Sequence, residues 1–189
     1  MIALLIAALW SGFALSWLAA APWSSPVEKR VGLRSELAYR ALLIVGGIVF
    51  LVPAHGYEGP LRLWFVTRGE AWLCVGLIAL GFAFSWWARV CLGALWSGQI
   101  ATKAEHRVVD RGPYAIVRHP IYTGVLLSIF ATAAAKGTVL GLAGAATIAL
   151  GLWMKASLEE RWLRQELGAD AYDAYRRRVP MLVPFARRP

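Results

Sequence analysis

At 189 residues, 59% hydrophobic and 16% charged, with a net charge of +9 and a mean hydropathy of +0.55, the chain is more apolar and less charged than an ordinary globular domain. The apolar residues lie in long uninterrupted runs, which excludes a soluble domain with a large core and points to bilayer-spanning helices in one domain. The basic excess does not indicate nucleic acid: the aromatic residues lie mostly within apolar runs, and the basic segments read as a cytoplasmic side in contact with anionic lipid.

Residues 1–21, MIALLIAALWSGFALSWLAAA, carry no charge and match one membrane crossing. Ala19, Ala20 and Ala21 imitate a signal-peptidase site, but the positive n-region is missing, so a retained span with its N-terminus outside is expected. A polar link with Lys29, Arg30 and Arg34 leads to a second span from about Leu37 to Pro53, where Arg40 can snorkel to the interface. A loop with Arg62 and Arg68 then opens a third span, from Glu70 to about Trp96, long enough that its end from Arg89 on should project or tilt. Cys74 and Cys91 share this run, roughly 25 Å apart on a straight helix. They cannot bridge, and they read as packed or lipid-facing thiols rather than metal or redox groups.

A polar stretch, residues 97–120, precedes a short apolar run, 121–135; a Lys-Gly-Thr turn reverses the chain into a second run. The pair is expected to form a tight antiparallel hairpin packed through its small residues. From Leu158 the pattern is amphipathic and charged, a helix leaving the membrane and stopping at Gly168. Five crossings with the N-terminus outside leave only Arg62, Arg68 and Lys136 of the basic residues outside, the arrangement favoured by the positive-inside rule. Residues 97–120 and 155–189 then share the cytoplasmic face. The expected fold is an all-α integral membrane protein of about five transmembrane helices with a C-terminal amphipathic cytoplasmic helix. Residues 1–86 carry the first two spans and most of the third; residues 87–189 carry the rest, with the helical hairpin and the cytoplasmic tail. Gly46-Gly47 and Gly141/Gly144 could pack helices within one chain or between two, so the oligomeric state is not readable.

The polar chemistry concentrates in two places. In RGPYAIVRHPIYTG, residues 111–124, Gly112-Pro113 signals a turn and Pro120 suits the first turn of a helix. Arg118 and His119 would stand at the mouth of the fourth span, beside free amides and the positive end of the helix dipole, a place for a carboxylate or phosphate; the bland alternative is an interfacial turn touching lipid headgroups. The second cluster is Lys155 with Glu159, which share a helix face, and Glu160, about 100° away; a solvated face with local ion pairs is the alternative here. Trp86, Trp87, Trp96, Trp153 and Trp162 read as interfacial and interhelix packing ahead of an acceptor tunnel.

The run from Trp87 to Phe185 closely resembles the isoprenylcysteine carboxyl methyltransferase family, which belongs with the membrane phospholipid methyltransferases. The elements occur in the family's order: H-x-V-V at 106–109, G-P-Y at 112–114, R-H-P-x-Y-x-G at 118–124, E-E at 159–160, G-x-x-x-Y-x-x-Y at 168–175 and R-V-P at 178–180. The first two spans match by hydropathy alone.

The resemblance implies S-adenosylmethionine as cofactor, held in a pocket formed by the C-terminal half, residues 87–189, as a cofactor-binding region rather than by a soluble Rossmann domain; no G-x-G-x-x-G after a strand is present. It implies cofactor contacts at Gln99, at His106, Arg107, Val108 and Val109, at Tyr114, at His119, Pro120, Ile121 and Tyr122, and at Glu159, with Arg118 and Glu160 as supports. Catalytic roles fall to His119, Glu159 and Lys155; the family's arginine facing the substrate carboxylate is here Lys155, a point charge without the bidentate fork. The expected activity is methyl transfer to a lipophilic, membrane-embedded acceptor, with membrane lipids as further partners, no nucleic acid and no metal. Short loops and the missing targeting signal fit a prokaryotic inner membrane with the C-terminus cytoplasmic. An NADPH-dependent sterol-type reductase and a non-enzymatic lipid-binding membrane protein stand as alternatives, and the acceptor is left open among carboxylate, amine, thiol and other lipids.

Overall fold

The computed structural model describes residues 1–27, 29–30, 32–52, 59–102 and 108–186. Among these, six α-helices carry the fold: α1 (Ile2–Ala19), α2 (Leu33–Leu51), α3 (Arg68–Leu92), α4 (Pro120–Lys136), α5 (Val139–Leu167) and α6 (Ala169–Arg178). The only strands among the described residues are β1 (Lys29–Arg30) and β2 (Ala101–Thr102), a two-residue antiparallel pair. Helices α1 and α5, and α3 with its 3-10 continuation to Leu95, are long and apolar enough to cross a membrane. Helix α4 has 17 residues, and α2 carries Arg34, Glu36 and Arg40 in its first turns.

Two antiparallel pairs form the body, α3 with α4 and α2 with α5. The α3–α4 seam is built on a repeated spacing, Gly81-x-x-x-Ser85 facing Gly124-x-x-x-Ser128. A Cβ on either glycine would strike the opposite backbone carbonyl and serine hydroxyl. Ser85 donates to the Ile121 carbonyl at 3.1 Å and Ser128 to the Ile78 carbonyl at 3.0 Å, both reaching across the seam. With lipid tails as apolar as the side chains, such close approach and hydrogen bonding is what holds helices together in a bilayer.

Most of the small residues expected to close the α4–α5 hairpin serve other seams, although Ala133 and Ala145 do meet in one core cluster. Gly124 and Ser128 of α4 face α3; Gly144 and Gly151 of α5 seat Phe50 and Leu43 of α2, and Gly46 seats Ile148. Two helices joined by a turn of Gly137 and Thr138 need no tight seam to stay adjacent, so the small faces serve the partners that the chain does not hold. Gly47 meets nothing within 4 Å.

Helix α1 runs parallel to α3 and packs through aromatic rings: Phe13 stacks on Phe82 at 4.2 Å, Trp10 meets Phe82 edge-on, and Trp17 meets Trp86. The ends of α1, α3 and α5 and the starts of α2 and α4 therefore lie at one end of the bundle. Arg89 closes that end. Buried, it donates to the carbonyls of Ala20 and Gly93 at 3.0 and 2.7 Å and lies 4.5 Å from the Trp96 ring. The third helix thus stops at Leu92, short of the expected Trp96, because Gly93 takes a positive φ of 58°. At the opposite end, Arg62 donates to the Lys136 carbonyl at 2.8 Å and Lys136 donates to the carbonyls of Phe50 and Val52.

Candidate active site

The chain leaves Arg89 and returns through a 3-10 turn at Gly112–Ala115. Gly112 has φ +59°, and a Cβ there would lie 3.0 Å from Cys91 Sγ, so the turn beds on α3 through a residue that needs no side chain. The turn buries Tyr114, whose carbonyl accepts from the Tyr175 hydroxyl of α6 at 2.7 Å. Burial pushes the Tyr114 hydroxyl far above the ordinary phenol range, and the negative charge of Glu159 acts in the same direction. Tyr172 and Tyr175 are raised by burial as well.

Arg118 is buried and saturated. Its Nε and Nη2 form a bidentate pair with Glu160 at 2.7 and 3.1 Å, and Nη1 donates to the carbonyls of Val179 and Arg176 at 2.6 and 3.1 Å. The backbone amides of Arg118 and His119 donate to the carbonyls of Pro180 and Met181 at 2.8 and 3.0 Å. Residues 180–182, the C-terminal strap, thus take the two amides that precede the first turn of α4. Thr123 adds a third tie, to the Leu182 carbonyl at 2.6 Å.

Glu159 and Glu160 divide the work as their 100° separation allows. Glu160 is held from behind: His119 Nε2 lies 3.3 Å from its Oε1, beside the Arg118 fork. Glu159 turns the other way, accepting from the Tyr122 hydroxyl at 2.8 Å and lying 3.9 Å from His119 Nδ1. The His119 and Tyr122 rings stack with centroids 5.4 Å apart. Lys155, one turn before Glu159, donates to the Gly98 carbonyl at 3.0 Å and sits over the rings of Tyr122 and Tyr39 at 5.3 and 5.9 Å.

These groups face a cavity of about 470 Å³. Gln99, Val108, Val109, Tyr114 and Arg118 line it, as do His119, Pro120, Ile121, Tyr122, Lys155 and Glu159. Glu160 stands behind the wall, and His106 and Arg107 lie outside the described residues. Phe13 and Trp17 of α1, with Trp96, complete an aromatic side, and Tyr172 and Tyr175 of α6 complete the cap. The sequence reading had missed Phe13 and Trp17, although Trp10, Phe13 and Trp17 recur at the spacing of one helix face. Tyr172 and Tyr175 pack against Leu163 of α5, and the Tyr175 hydroxyl ties α6 to the 112–115 turn as well. Of the tryptophans, Trp96 reaches the cavity, Trp86 donates to Ser16, and Trp87 and Trp153 are exposed.

The arrangement pairs an acid–hydroxyl–imidazole wall with an aromatic one. A sequence model of the isoprenylcysteine carboxyl methyltransferase family matches residues 74–165, the stretch that builds most of this cavity. Methanethiol S-methyltransferase 2 of Bradyrhizobium diazoefficiens is 38% identical over 142 residues, covering 68% of this chain and 53% of that protein. Protein-S-isoprenylcysteine O-methyltransferase B of Arabidopsis thaliana is 25% identical over 150 residues, covering 78% of this chain and 74% of that protein.

The chain belongs to the isoprenylcysteine carboxyl methyltransferase family. A solved structure of a eukaryotic intramembrane Ras methyltransferase of the family superposes with a TM-score of 0.54 at 18% identity, over 79% of this chain and 53% of that one, a likeness of fold. The chain spans about half the length of the Bradyrhizobium relative and of the solved structure. Within this family fold, the R-H-P-x-Y-x-G segment supplies Arg118, His119 and Tyr122, and the E-E pair supplies the two carboxylates they bind.

Proposed function

We propose that the chain is an S-adenosylmethionine-dependent methyltransferase acting within a membrane on a lipophilic acceptor. The observation that carries this reading is the grouping of Tyr122, Glu159, His119 and Lys155 on one wall of a 470 Å³ cavity whose other wall is Phe13, Trp17 and Trp96. That volume suits a cofactor-sized ligand. The residues fit S-adenosylmethionine: Glu159 offers acceptor oxygens to amino or ribose hydroxyl groups, and Tyr114 and Tyr122 offer ring faces to the adenine or the cationic sulfur. When bound, the cofactor supplies a methyl group already activated on a positively charged sulfur.

The chain's own contribution is alignment and exclusion of water. The Arg118–Glu160 pair and the strap fix His119, and His119 and Tyr122 together fix Glu159. The aromatic wall keeps the acceptor side dry. An acceptor bearing a proton on its reacting atom has Glu159 and His119 within reach to take it.

The relatives are named for two acceptors, methanethiol and the isoprenylcysteine carboxylate. Lys155 favours the first chemistry. Its ammonium is bonded to Gly98, and Arg118, the one arginine among the described lining residues, is held by Glu160 and two carbonyls. Among the described lining residues, no guanidinium fork is open to receive a carboxylate. Our acceptor is therefore a thiol or a similar small lipophilic nucleophile, with prenylcysteine as the second reading. We read α1 to α5 as five crossings of a prokaryotic inner membrane, N-terminus outside, which places the cavity mouth on the cytoplasmic side.

Calorimetric titration of the detergent-purified protein with S-adenosylmethionine tests the site. Micromolar binding, about 8 kcal/mol, abolished in Glu159→Ala and His119→Ala is expected. No binding to folded wild type, or equal binding by all three proteins, overturns the assignment. Sterol-dependent NADPH oxidation would replace it with the reductase reading.

A further inference from the structure

Helix α5 has a second working face. Trp153, Ser157, Glu160, Arg161 and Arg164 follow one another at helical spacing, and with Arg176 and the strap they bound a groove of about 540 Å³ on the side away from the cofactor cavity. Its charge is lopsided. Arg118, Arg161, Arg164 and Arg176 face it against Glu160 alone, whose oxygens Arg118 and Arg176 already cover. Asp173 of α6 satisfies Arg164 at 2.9 Å and approaches Arg176 at 3.8 Å. Arg161 is exposed and has no ion pair with any described residue. Arg176 Nε is buried without a hydrogen-bond acceptor, although it lies 3.4 Å from Glu160 Oε2.

The groove is also graded along the membrane normal. Helix α5 has 29 residues, and about 20 of them suffice for the hydrocarbon core. Counted from Val139, the boundary falls near Glu159: Trp153 lies below it, and Arg161 and Arg164 lie above it. On the strap side, Met181 and Val183 line the groove, Val183 being 63% exposed and the next aromatic, Phe185, 98% exposed. Apolar surface below and unsatisfied guanidinium donors above match a lipid with an anionic headgroup, not a freely soluble anion.

We propose that this groove binds an anionic phospholipid, its phosphate between Arg161 and Arg176 and one acyl chain along Trp153 and Val183. Because Arg118 lines both the groove and the cavity, the lipid would brace the same pair that fixes His119. The site does not depend on the methyltransferase reading, since its ligand is neither cofactor nor acceptor.

Native mass spectrometry of the purified chain with equimolar phosphatidylglycerol and phosphatidylcholine is the test, using Arg161→Gln and, as a control outside the groove, Arg177→Gln. Wild type is expected to retain phosphatidylglycerol preferentially. Arg161→Gln should lower that retention by at least about fivefold, the worth of one arginine at a charged lipid surface, and Arg177→Gln by less than about twofold. Arg161 is exposed and has no ion pair among the described residues, so the variant folds, which its unchanged melting temperature verifies. Equal retention of both lipids, or equal loss in both variants, overturns the proposal. So does displacement of the lipid by millimolar inorganic phosphate, which would mark a soluble-anion site.

Discussion

Arg118 and Glu160, 42 residues apart in the chain, form a bidentate ion pair with both side chains almost wholly buried. The pair joins the start of α4 to the end of α5, and the remaining Arg118 donors bind the last turn of α6 and the residue after it. Three segments of the C-terminal half thus meet at one guanidinium.

Breaking a buried pair leaves the surviving charge desolvated and costs about 3–5 kcal/mol. Arg118→Gln and Glu160→Gln are each expected to lower the melting temperature in detergent substantially. The double variant should fall well short of the sum, since one interaction is lost only once. Additive losses in a thermal unfolding series would show that the two side chains act independently.

Tyr122 makes a milder prediction. Its hydroxyl donates to Glu159 at 2.8 Å, and a hydrogen bond to a charged group contributes about 1.5–3 kcal/mol. Tyr122→Phe keeps the ring that stacks on His119 but frees the carboxylate. Affinity for S-adenosylmethionine should fall by about tenfold or more, and the melting temperature should fall modestly with the lost bond, read by calorimetry beside thermal unfolding.

The division of labour between Glu159 and Glu160 was legible in the sequence, because adjacent residues on a helix point about 100° apart. On the folded chain Lys155, Glu159, Leu163 and Leu167 recur every four residues and all line the cavity, while Glu160, Arg161 and Arg164 turn to the groove. The motif segment 111–124 was legible too, since Gly112, Pro113 and Pro120 allow few conformations. The partner of its amides was not. Which carbonyls satisfy Arg118 and His119 depends on where Pro180 and Met181 return, a long-range event that no local pattern encodes. Helix pairing was equally hidden: small-residue faces on α3, α4 and α5 announce close packing without naming the partner.

The α3–α4 seam supplies its own test. A Cβ at Gly81 would meet the Gly124 carbonyl and Ser128, whereas one at Gly76 on the same helix meets nothing within 4 Å. Gly81→Ala should destabilise by about 1–3 kcal/mol through overpacking, and Gly76→Ala should be neutral or slightly stabilising through helix propensity. Thermal unfolding of both variants decides it; equal effects would mean the seam opens readily.

Alkaline pH should loosen the cap over the cavity. Tyr114, Tyr172 and Tyr175 lie outside the spanning helices, and burial raises all three hydroxyls. A tyrosine whose folded value is raised stays protonated in the fold while the unfolded chain loses its proton from about pH 10 upward. The unfolded state then binds fewer protons, so each group's stabilising contribution is intact below about pH 10 and declines above it, by up to about 1.4 kcal/mol per pH unit. Tyr175→Phe removes one titrating group and the hydrogen bond to the Tyr114 carbonyl. The variant should melt lower than wild type at neutral pH, yet lose stability less steeply above pH 10. Parallel pH profiles for the two proteins would show that Tyr175 ionises as freely in the fold as in the unfolded chain.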